Sequence, residues 1–151
     1  MESKTNLITI LEERSILDIK KNWLAHLIIQ EEIIRRNFDW IVLVIDGYKL
    51  SGKGQLFVNE KKYVIEIKYS PFYPFRMDRI RVMNQKIKFH NSIHVYPDCS
   101  LCLYHPYIDK PYNKEISLFN MIPWIVEWCH FYEEWKKYGV WLAKEIKHDD
   151  L

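Results

Sequence analysis

Four β-rich runs between residues 38 and 83, joined by connectors of only a few residues, constrain this chain more than any other feature. Residues 38–45 are dense in β-branched and aromatic side chains and end at Asp46-Gly47, a turn dipeptide. Gly52 and Gly54 are expected to flank a second turn, followed by a strand over 55–58 and a polar connection through Asn59, Glu60, Lys61 and Lys62. The third strand, 63–69, alternates: Tyr63, Ile65, Ile67 and Tyr69 share one face, Glu66 and Lys68 the other. Pro71 and Pro74 cannot continue a central strand, because each removes a ladder donor, and a fourth strand over 79–83 follows them. Parallel neighbours need crossovers of a dozen residues or more. These connectors are too short for that, so the four strands form an antiparallel meander.

Helical periodicity flanks the strands. Over 15–36, Ile16, Ile19, Trp23, Leu27 and Ile34 recur at steps of three and four, with Ser15 as N-cap and Asp18 three residues on. Residues 7–11 read as an extra turn or a separate short helix. A second helix runs from Ser117 or Asn120 to Tyr138, with Trp124, Ile125, Trp128, Phe131, Tyr132 and Trp135 on one face, Pro123 in its first turn and Gly139 as C-terminal cap. A last short helix over 140–148 carries Trp141 to the core. The expectation is one α+β domain spanning 1–151, with an N-terminal helix, a four-stranded antiparallel meander, a loop and C-terminal helices.

Bulk properties exclude several classes. A net charge of +2, with Lys and Arg spread along the chain, offers no footprint for nucleic acid. No apolar run is long enough to span a bilayer, and the first residues lead into charged sequence rather than a signal peptide. Three cysteines suggest no disulfide framework, and the reading is a cytoplasmic protein with reduced thiols.

Candidate chemistry concentrates in one loop, 90–106, which holds His90, His94, Cys99, Cys102 and His105 with Pro97 and Pro106. A thiol, imidazoles and proline-fixed turns are what a cysteine-centred site needs. A zinc site using Cys99 and Cys102 with His94 and His105 has suitable donor types, but one CxxC without a second pair is a weak signal. A dithiol redox role is weaker, because no βαβ pattern surrounds the pair. Packing alone is the remaining alternative: a lone cytosolic cysteine is usually a small buried hydrophobe. Cys129, on the aromatic helix, reads as core. His90 and His105 read as structural or solvent-facing, and His26 and His148 carry no signal.

The order of elements, Tyr73-Pro74-Phe75, then Ile80-Arg81-Val82, then the run from His94 through Val95, Tyr96, Pro97, Asp98, Cys99, Ser100 and Leu101 to Cys102-Leu103 resemble the ubiquitin-conjugating enzyme family over about residues 20–148. The tail, with Trp128-Cys129-His130 and Gly139-Val140-Trp141, resembles its prokaryotic branch, found in bacterial anti-phage operons of the CBASS type. The resemblance implies that Cys102, directly before a leucine, is the nucleophile. It places His94 where the eukaryotic enzymes have an asparagine eight residues upstream, and Cys99 where they have a glycine. It further implies a cysteine thioester with the C-terminus of a partner protein, transferred onward to an amine. Asp98 and Ser100 are expected to shape the loop. No cofactor is implied. The partners expected are the loaded protein, with a cGAS/DncV-like cyclic-oligonucleotide synthase as the candidate, and a separate ATP-using activating enzyme. A catalytically silent binding module of the same fold is the alternative within the family.

Overall fold

The computed structural model describes residues 15–90, 92–104 and 116–141. Helix α1, Ile16–Lys21, starts at Ser15, whose hydroxyl accepts the Asp18 amide at 3.2 Å, as the sequence led one to expect. The helical pattern does not run unbroken to residue 36. Asn22 leaves helical geometry (φ −117°, ψ 39°), and its side-chain amide donates to the Asp18 carbonyl at 3.2 Å. That bond competes with the helix ladder and separates α1 from α2, Trp23–Asn37.

The meander is present: β1 (Ile41–Asp46), β2 (Lys49–Val58), β3 (Lys61–Tyr69) and β4 (Asp78–Val82) pair in sequence order, all antiparallel. The second turn expected at Gly52 and Gly54 is not there. Both glycines lie inside β2, where Gly52 pairs with Leu43 and Gly54 with Ile41. A Cβ on Gly52 would collide with the Val42 carbonyl oxygen and come within 2.9 Å of the Leu43 Cα, and one on Gly54 would meet the Trp40 ring at 2.7 Å. The missing side chains serve close backbone approach, not a reversal.

One sheet face is apolar. Leu50, Tyr63, Ile65, Ile67, Tyr69 and Ile80 are fully buried there, against Leu27, Ile33 and Ile34 of α2. The strand alternation read for residues 63–69 holds residue by residue. Helix α3, Leu118–Tyr138, closes the core with Met121, Ile122, Ile125, Trp128 and Tyr132. Ser117 caps its start and Gly139, at φ 74°, its end. Because the helix begins at Leu118, Pro123 falls in its second turn rather than its first. There it removes one ladder donor, a cost of about 3 kcal/mol that the packing of the aromatic face offsets. The expected helix over 140–148 lies almost wholly outside the described residues. Trp141 itself packs its ring 5.7 Å from Trp128 and 5.8 Å from Phe131. Among the described residues, no helix is long and apolar enough to cross a membrane.

The sheet positions the loop. Past β4 the chain returns along the sheet edge, and the Leu101 amide donates to the Ile80 carbonyl at 2.8 Å. Cys102 therefore directly follows the loop residue that docks on the edge strand.

Candidate active site

A two-stranded miniature ladder holds the cysteine. Val95 and Leu101 form an antiparallel bridge, flanked by Tyr96 N–H to Ser100 O at 2.8 Å and Cys102 N–H to His94 O at 2.9 Å. Ile93, Val95 and Leu101 are buried beneath it and act as its apolar anchors. The tip is a tight turn, with the Cys99 amide donating to the Tyr96 carbonyl at 2.8 Å. Cys99 adopts φ 67°. That left-handed conformation is what a glycine would supply there without steric cost, so the turn keeps its shape although its residue is a cysteine.

His94 is opposite Cys102 across this ladder, itself at φ 54°, an angle histidine tolerates better than most residues. Its carbonyl is pinned twice, by the Cys102 amide and by the Trp128 indole N–H at 3.1 Å; the same indole also donates to Ile93 O at 3.0 Å. The His94 ring stands 5.2 Å from the Trp141 ring. Cys102 is half-buried, and its thiol donates to the Tyr104 carbonyl at 3.5 Å.

Asp98 and Ser100 shape the loop, as expected from their position. One Asp98 oxygen accepts from the Ser100 amide at 2.9 Å and the Ser100 hydroxyl at 2.6 Å, and the other pairs with Arg81 at 3.3 Å. Burial alone would raise the Asp98 pKa. The Ser100 hydrogen bonds and the Arg76 and Arg81 charges outweigh it and hold the carboxyl below its ordinary value.

Sequence reasoning missed the charged pair beneath the loop. Arg76 and Asp78 have side chains only 11% and 0% exposed, and are paired at 3.6 Å. Arg76 hydrogen-bonds the Ser100 hydroxyl and lies over the Tyr96 ring, 3.4 Å from its centroid. Asp78 accepts the Tyr104 hydroxyl at 2.9 Å; its burial outweighs these partners and raises its pKa. A signal for Asp78 was available. In β4 it shares the parity of inward-facing Ile80 and Val82, so a buried carboxylate in need of a cation was legible.

The other candidates disperse. Cys129 is fully buried, and burial together with the Glu133 charge pushes its thiol up to about 12, which suits an inert core residue. His90 is exposed and structural: its Nδ1 accepts the Ser92 amide at 3.0 Å and its ring lies 5.6 Å from Trp135. His26, without a signal in the sequence, is buried and bonded to the Tyr69 hydroxyl at 2.9 Å. His105 and His148 lie outside the described residues. Among the described residues, no three His, Cys, Asp or Glu side chains gather as a metal site, so the zinc alternative gains no support from Cys99, Cys102 and His94.

Residues 20–149 match the family model described as type II CBASS E2 protein. The chain belongs to the type II CBASS E2 family. No curated protein matches it. For a CBASS E2, the α+β fold with a four-stranded antiparallel sheet between N- and C-terminal helices is the expected frame. Membership gives an E2-like conjugating role in anti-phage defence, with protein partners inside that system. The loop of this CBASS E2 presents one half-buried thiol, Cys102, next to the sheet edge, and a second, Cys99, at the turn tip.

Proposed function

We propose that this CBASS E2 carries the C-terminal acyl group of a partner protein as a thioester on Cys102 and passes it to an amine. The observation that carries the reading is the pinned ladder that holds the Cys102 backbone against His94 at the edge of the sheet, in a chain of this family. Loading is exchange: the Cys102 thiolate attacks an acyl donor's thioester, and the donor's thiolate leaves. In transfer, an amine attacks the Cys102 thioester and creates a tetrahedral oxyanion, which needs a fixed donor. His94, held by its own carbonyl from two sides, supplies an imidazole N–H for that role. The loaded protein in this reading is a cGAS/DncV-like cyclic-oligonucleotide synthase, delivered by a separate activating enzyme, and the chain works in the cytoplasm.

The decisive experiment is the denatured intact mass of Cys102→Ser co-produced with its genomic neighbours. A serine ester discharges slowly. The expected result is a protein-sized adduct stable to thiol reductant, replaced by a reductant-labile one when Cys102 is restored. Absence of both adducts overturns the carrier role and leaves a binding module of the same fold. His94→Ala is expected to slow discharge of the loaded thiol about a hundredfold while loading changes little. His94→Asn, which tolerates the same backbone angle and keeps an N–H donor, restores most of the rate. Equal slowing of loading and discharge by His94→Ala sinks the oxyanion role.

A further inference from the structure

Alternation in the small ladder puts Tyr96 and Cys102 on the same face. Val95 and Leu101 point into the core, so Tyr96 and Cys102, each one residue away on opposite arms, point to the other side as a diagonal pair. The Tyr96 ring is clamped rather than packed loosely. Its backbone N–H is bonded to Ser100, and its π face carries the Arg76 guanidinium at 3.4 Å. Arg76 is in turn held by Asp78, fully buried, and by the Ser100 hydroxyl. The Tyr96 hydroxyl is buried and finds no hydrogen-bond partner among the described residues. A buried orphan hydroxyl costs about 1–3 kcal/mol and calls for an explanation. Burial first, and then the charge and hydrogen-bonding capacity of the Cys102 sulfur, drive the Tyr96 pKa well above the ordinary phenol range. The phenol therefore keeps its proton and remains a donor on the face of the ladder that it shares with Cys102.

We propose that the Tyr96 hydroxyl is a further catalytic group, which donates a hydrogen bond to the Cys102 sulfur whenever that sulfur carries negative charge, with Arg76 and Asp78 as the positioning residues that hold its ring. The proposal rests on Cys102 as the thioester nucleophile. When an amine attacks the loaded thioester, the C–N bond forms and the tetrahedral species collapses by breaking the C–S bond. The electron pair leaves with sulfur, and the amine's surplus proton passes to solvent. Tyr96 keeps its own proton and shares it with the departing thiolate, so no further reactant is needed. The same bond stabilises the free thiolate before loading.

The test reads the free thiol and needs no partner. In a Cys99→Gly background, where Cys129 is fully buried, iodoacetamide alkylation followed by intact mass reports Cys102 alone. Tyr96→Phe keeps the ring under Arg76 and deletes only the hydroxyl. The expected result is an alkylation rate at pH 7 lowered about tenfold, with the pH profile displaced by about one unit to higher pH and the same plateau at high pH. Arg76→Lys, which retains the charge opposite Asp78 but loses the planar stack, gives an intermediate displacement. An unchanged profile in Tyr96→Phe overturns the proposal, as does a lowered plateau without displacement, which marks a packing role. A displaced profile alongside a Cys102→Ser protein that captures no adduct separates the two ideas: the donor stands and the carrier role falls.

Discussion

A single backbone angle sets the cost of the turn beside the nucleophile. Cys99 at φ 67° carries the left-handed penalty of about 1–2 kcal/mol that a glycine avoids. Cys99→Gly is therefore expected to raise stability by about 1 kcal/mol, read from the urea midpoint at constant m-value. An unchanged or lower midpoint contradicts this. The turn's other determinants were legible from residue type, since Asp98 and Ser100 form the side-chain turn that such pairs favour. Arg76 was not legible. Its partners Tyr96 and Ser100 are twenty and more residues away in sequence, and nothing local distinguishes a stacked arginine from a solvated one.

Between elements, helix α3 is tied to the sheet by a polar clamp as well as by its aromatic face. Glu133 accepts from the Tyr63 hydroxyl of β3 and pairs with Lys136 at 3.0 Å and Lys61 at 3.8 Å. Burial pushes the Glu133 pKa up, but the Tyr63 and Lys136 hydrogen bonds and the two lysine charges bring it below its ordinary 4.5. With the folded pKa depressed, the clamp's contribution is complete above about pH 4.5 and is lost as pH falls through the folded value. Glu133→Gln is expected to cost about 2 kcal/mol at pH 7 in urea unfolding, with the gap to the parent narrowing steadily below pH 4.5. A gap independent of pH shows that the carboxylate's charge contributes nothing. At this scale the sequence told strand from helix through period alone: Tyr63, Ile65, Ile67 and Tyr69 could only be one face of a strand. It misled at Gly52 and Gly54, because a glycine that admits a neighbouring backbone is written with the same letter as one that reverses the chain. The interruption at Asn22 was hidden for a related reason. No proline or glycine marks it, and the side-chain bond to Asp18 that makes it has no periodic signature.

Across the whole molecule, the site is assembled from parts that meet only in the finished fold. Trp128 is the long-range tie, since its indole bonds two loop carbonyls from a helix more than thirty residues downstream. Trp128→Phe keeps most of the apolar contact and removes both bonds. It is expected to cost about 1–2 kcal/mol and to speed amide exchange at Tyr96 and Cys102 while the β2 and β3 amides stay protected. Uniform loss of protection across sheet and loop means instead that the loop does not open independently. The meander needs no such tie. Each strand pairs with its neighbour in sequence, so only short loops close and contact order within the sheet is low. On a ribosome adding about 5–20 residues per second, residues 15–82 can pair and bury Leu27 and Ile34 while α3 is still being made. The cysteine ladder must wait for Trp128. The thiol thus receives its surroundings seconds after the scaffold that displays it, and a truncated or stalled chain would show a sound sheet with an unformed reactive loop.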